Sequence, residues 1–137
     1  MKTVMLAAGI GMMLGLSGCQ QDTVKAPYGG KQDPLPRVNY PQITVEGSLQ
    51  PYLAFDTPTV SKESGVLKVV TPVRLQSDGQ ESNVQYRYIF LDAGGMPLRA
   101  QADWRYFRFP SRLQVFLEGN ALDSSASDWR LEVRPAR

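Results

Sequence analysis

Apolar positions fall into three regimes along the chain. Residues 4–16 are almost wholly apolar, and residues 20 to about 41 are polar and interrupted by Pro27, Gly29, Gly30, Pro34, Pro36 and Pro41. From Ile43 onward apolar and polar residues alternate. A period of two turns one face of an extended chain toward a core and the other toward water. Val66–Leu75 is the clearest case: Leu67, Val69, Thr71, Val73 and Leu75 share one face, and Val66, Lys68, Val70, Pro72 and Arg74 share the other. Pro72 has no N–H to give to a ladder, which points to an edge position or a bulge.

The same pattern predicts the neighbouring strands. Ile43 and Val45 alternate with Thr44 and Glu46 before Gly47-Ser48 interrupts, and Tyr52, Ala54 and Val60 form a second extended segment broken at Pro58. Residues 84–91 put Val84, Tyr86, Tyr88 and Phe90 on one face, and Asp92-Ala93-Gly94-Gly95 then supplies a hairpin loop whose glycines accept positive φ. Residues 96–100 continue outward. Residues 104–109 form a further run ended by Pro110, and 112–118 and 129–133 are the last two strands. Residues 120–128 suit a turn or one helical turn. No long 3.6-residue period follows residue 19. About seven short strands over ~95 residues predict an all-β fold, an antiparallel β-sandwich.

The apolar start has the parts of a secretory signal: Lys2, an apolar run of about 13 residues, then Ser17-Gly18. The run is short of the ~20 residues that span a bilayer. Leu16-Ser17-Gly18-Cys19 resembles the lipobox of bacterial lipoproteins. That resemblance implies cleavage between Gly18 and Cys19 and acylation of Cys19. Two or more acyl chains hold a protein stably, at ~0.8 kcal/mol per buried methylene. Gln20 stands where Asp would signal retention at the inner membrane of enteric bacteria, so the resemblance implies the periplasmic face of the outer membrane. The expected organisation is a signal peptide over 1–18, lipidated cysteine and tether over 19–41, and a β-sandwich over 42–137. A flexible tether of ~22 residues reaches ~25 Å. The competing expectation has part of it, around Val38-Asn39-Tyr40, packed on the domain.

Charge and residue types narrow the function. Lys and Arg number 15 against 13 Asp and Glu, and loss of Lys2 with the signal leaves 14 against 13, too even for a nucleic-acid partner. There is no histidine, and the single cysteine leaves no disulfide within the chain. Ser-His-Asp, Cys-His and the usual zinc constellations are therefore excluded. Neither a Gly-x-Ser-x-Gly elbow nor a Ser-x-x-Lys motif occurs. The loop 77–83 lacks the alternating acids of a calcium loop. Asp92 and Asp103 are the nearest pair of carboxylates for acid–base work, but Asp92 is better suited to capping its own turn. The expectation is a non-enzyme with no cofactor and no metal.

Binding chemistry concentrates in residues 104–109. As a strand, this run puts Trp104, Tyr106 and Arg108 on one face and Arg105, Phe107 and Phe109 on the other. Trp, Tyr and Arg dominate binding hot spots, so Trp104, Arg105, Tyr106 and Arg108 are the candidate interaction surface. The competing reading makes one set core and the other a snorkelling edge cover. A sheet edge open to an added strand is a second candidate. The arginines of the last third read as a solvated sheet surface.

One ordered set of residues resembles a known family. Tyr40-Pro41-Gln42-Ile43, the run from Tyr86 to Asp92 with Gly95 closing its turn, Trp104, and Asp128-Trp129-Arg130-Leu131 are similar to the YcfL-like family of small bacterial lipoproteins, a domain of unknown function. Leu91 departs from the pattern, where an aromatic often precedes the Asp. The resemblance implies an immunoglobulin-like β-sandwich and a periplasmic location, and it brings no catalytic residues. The expected role is an adaptor anchored through Cys19 to the membrane and engaging an envelope protein. The alternative is a lipoprotein that binds peptidoglycan fragments or lipid.

Overall fold

The computed structural model describes residues 40–77 and 81–137. The signal peptide, the Gly18–Cys19 cleavage site, the lipidated Cys19 and all but the last residues of the tether lie outside the described residues. The described residues form eight strands: β1 (Ile43–Val45), β2 (Leu53–Phe55), β3 (Thr59–Glu63), β4 (Val66–Leu75), β5 (Ser82–Leu91), β6 (Arg105–Phe109), β7 (Gln114–Asn120) and β8 (Asp128–Pro135). Among the described residues no helix is long and apolar enough to cross a membrane.

The strands make two sheets packed face to face, the immunoglobulin-like sandwich architecture. The first sheet runs β1-β8-β5-β6. In the second, β7 pairs with β4 over Lys68 to Arg74, while β3 and β2 pair with the two halves of β4 and so share its other side. The segment broken at Pro58 is thus two strands in one row, which raises the count from about seven to eight. Pairing is antiparallel except between β1 and β8, which run parallel.

Period two explains the core. The predicted inner face of β4 is buried throughout, as are Val84, Tyr86, Tyr88 and Phe90 of β5. Leu117 of β7, Phe109 of β6, and Trp129, Leu131 and Val133 of β8 meet them. Each fully buried Leu, Val or Phe is worth about 1.5–3 kcal/mol. Tyr88 carries its hydroxyl into this core, where it contacts Thr71 Oγ1 at 2.7 Å and donates to the Leu117 carbonyl at 2.8 Å. Burial pushes that hydroxyl above the ordinary tyrosine range, against the opposing pull of the Thr71 bond.

Pro72 corrects the sequence reading. It lies in mid-β4, opposite Phe116 of β7, and is neither an edge nor a bulge. Its carbonyl accepts from Asp56 N–H at 3.0 Å, so its donor-less nitrogen faces the same side, the gap between β2 and β3. The missing ladder bond falls where the neighbouring row is already interrupted. Residues 96–100 form no strand: a single bridge joins Pro97 to Leu91. Between Asn120 and Asp128 the chain takes turns, with Asp123 Oδ1 accepting from Ser125 N–H at 2.9 Å.

Candidate functional site

Among the described residues, β6 ends the first sheet and is paired on one side only, to β5. Its register sets Tyr106 opposite Gln85, Arg108 opposite Asn83, and Arg105 opposite Tyr86. Tyr86 points into the core, so Arg105 lies on the core side of the rim while Tyr106 and Arg108 lie on the outer face. Trp104 is one residue ahead of the strand and falls in the outer row. The structure therefore brings Trp104, Tyr106 and Arg108 together and separates Arg105, whose Nη1 donates to the Glu118 carbonyl of β7 at 3.3 Å.

Two arginines from other strands hold the Trp104 ring. The Arg134 guanidinium carbon stands 3.8 Å from the ring centroid and that of Arg87 stands 4.5 Å away. Such contacts contribute about 0.5–1 kcal/mol at exposed sites. Arg134 belongs to β8 and reaches the ring across β5. On the way its Nε donates to Gln85 Oε1 at 2.9 Å, and Gln85 is buried beneath the network. Arg87 Nε donates to Glu132 Oε2 at 2.7 Å. Arg108 pairs with Glu81. Tyr106 stands clear of this network, 69% exposed. The result is an outer row of one Trp, held by two guanidinium groups, with an exposed Tyr and a paired Arg, at the edge of the sheet among the described residues.

Arg87, Arg134, Gln85 and Glu132 escape sequence reasoning because only the β5–β6 and β5–β8 registers together bring them to Trp104. Their one local signal is outward position on alternating strands. Asp92 is a turn residue: its Oδ1 accepts from Gly94 and Met96 N–H, each at 2.9 Å. Asp103 is exposed in the β5–β6 connection. No cluster of three or more His, Cys, Asp or Glu side chains able to hold a metal occurs among the described residues.

A separate cleft of about 380 Å³ opens at one end of the sandwich, lined by Ser48, Leu49, Tyr52, Leu75, Glu81 and Pro135 among others. Leu49, Leu75 and Pro135 give it apolar lining, and Ser48, Tyr52 and Glu81 bring hydroxyls and one carboxylate.

Comparison with curated proteins returns no match. Among solved structures, the crystal structure of Campylobacter jejuni cj0090 is similar with a TM-score of 0.59 and 26% identity, covering 69% of this chain and 98% of that one. A DUF1425 family member from Shewanella sp. pv-4 is similar in fold, with a TM-score of 0.56 and 19% identity over 62% of this chain and 79% of that one. The model of the family described as "Protein of unknown function (DUF1425)" matches residues 42–135, from the residue before β1 to the last of β8. With its whole sandwich matched in this way, the chain belongs to the DUF1425 family.

Proposed function

We propose that the chain is a membrane-anchored periplasmic lipoprotein whose sandwich is a non-enzymatic interaction module of the cell envelope. The lipobox ending in Cys19 and the resemblance to the YcfL-like lipoproteins support the anchor, and Gln20 supports the outer membrane as its site. The observation that carries the interaction role is the outer face around Trp104. Its ring is fixed by Arg87 and Arg134, with Tyr106 and Arg108 in the same row. The Trp104 ring and the two arginines that hold it lose little entropy on binding, which suits a protein partner.

The test is photo-crosslinking in the producing cells, with the reactive group in place of Arg130, an exposed outer-face residue two strands from the β6 edge. A probe in place of Phe116, on the outer face of the other sheet, is the control. Recovery of one stoichiometric envelope protein from position 130 alone is expected. Recovery of glycan alone, or equal recovery from both positions, contradicts the proposal.

The cleft favours a second reading, a lipoprotein that holds peptidoglycan fragments or lipid. Its volume is within the range of small-ligand sites. Saturable binding of such fragments, abolished by Tyr52→Ala, distinguishes it from the adaptor.

A further inference from the structure

We infer that β6 is a self-pairing edge, through which two copies of this chain join their first sheets into one antiparallel sheet with the order β1-β8-β5-β6 repeated about a two-fold axis. The inference goes beyond the adaptor reading and does not depend on the lipid anchor or on an envelope partner.

The edge is available because β6 pairs with β5 and, among the described residues, no further strand follows it in the sheet. Its sequence, Arg105-Tyr106-Phe107-Arg108-Phe109, then selects the pairing. For the two sandwiches to continue as one, outer residues must meet outer residues, so the two-fold axis must pass through a residue position. Centring on Arg105 or on Arg108 sets that guanidinium directly opposite its own copy, which is destabilising. Centring on Tyr106 sets Trp104 opposite Arg108, but Trp104 lies outside the strand and its ring is already held by Arg87 and Arg134.

Centring on Phe107 uses all five residues and places no like charges opposite each other. Tyr106 of each copy then faces Arg108 of the other, two cation–aromatic pairs on the outer face. Arg105 faces Phe109 on the inner side. Each Arg108 keeps its own Glu81, so the two guanidiniums enter the interface compensated. Arg105, the charge that would otherwise guard the edge, is turned aside to the Glu118 carbonyl. Side-chain complementarity thus makes a second copy the occupant that fits this edge.

The test is disulfide trapping in the full chain expressed in its own cells, using Tyr106→Cys and Arg108→Cys. Both positions are exposed, at 69% for Tyr106 and 71% for the Arg108 side chain, so the fold is kept. Directly opposite Cβ atoms lie about 4.5–5.5 Å apart, within reach of a disulfide after small adjustment. Co-expression of the two single variants, differently tagged, is expected to give several-fold more covalent dimer than either variant alone. Sedimentation of the unsubstituted chain is expected to give a dimer mass. Strongest trapping by Tyr106→Cys alone, no trapping in any combination, or a monomer mass throughout overturns the inference.

Discussion

A Cβ on Gly119 would stand 2.2 Å from Cδ2 of Tyr88 and 2.6 Å from its Cγ. The ring cannot retreat, because its hydroxyl is bonded to Thr71 and to the Leu117 carbonyl one turn of the pleat away. Glycine in the interior of a strand normally weakens it; here it admits the ring that ties β5 to both β4 and β7. Gly119→Ala should lower stability by about 1–3 kcal/mol, as overpacking does. Urea denaturation measures the loss, and in a Tyr88→Ala background the same substitution should cost markedly less.

The Tyr88 hydroxyl also fixes a pH dependence. Its folded value lies above the ordinary one, so on raising the pH the unfolded chain releases the proton first, near pH 10. Stability from this group is complete below about pH 10 and declines as the pH rises further. Tyr88→Phe should remove that part of the alkaline decline. At neutral pH it should cost about 1–3 kcal/mol, because a buried partner of the hydroxyl loses its bond. Thermal unfolding across the alkaline range checks both effects.

Gln101 stands in for a strand. β6 covers β5 only from Ser82 to Tyr86, and farther along the Gln101 side chain bonds the Phe90 backbone. Its Oε1 accepts from Phe90 N–H at 3.0 Å, and its Nε2 donates to the Phe90 carbonyl at 2.8 Å. Gln101→Ala should destabilise by about 1–3 kcal/mol by leaving the Phe90 N–H unpaired, while the Phe90 carbonyl keeps its bond from Leu98 N–H at 3.0 Å. Hydrogen exchange at the Phe90 amide should accelerate, while exchange at Leu131 in the core of β8 should change far less.

The two tryptophans should respond differently. Trp129 is 4% exposed in the core, and Trp129→Ala should cost about 3–5 kcal/mol. Trp104 sits on the outer face, and Trp104→Ala should cost about 1–2 kcal/mol, the loss of two cation–aromatic contacts. Denaturation midpoints separate them.

What was legible in the sequence is what depends on local alternation. The inner faces of β4 and β5 and the grouping of Trp104, Tyr106 and Arg108 in one row follow from period two, and the Asp92 turn from its residue types; which way that row faces comes only from the β5–β6 register. What was not legible depends on partners distant in sequence. Arg87 meets Trp104 only through the β5–β6 register and Arg134 only through the β5–β8 register as well, and Pro72 is tolerated only because β2 and β3 part beside it. The β3–β4 hairpin was missed for a local reason. Ser64 and Gly65 both take positive φ, at 51° and 80°, which suits a two-residue turn, but serine rarely announces that conformation.

The interaction role proposed for this DUF1425 domain rests on the outer face around Trp104. The most direct measurement is the yield of the adduct trapped from position 130, compared between the parent chain and Trp104→Ala, with folding verified for both. A hot-spot Trp is worth at least about 2 kcal/mol of binding, so apparent affinity should fall by more than about tenfold. An unchanged yield across partner concentrations, with the fold intact, would contradict it.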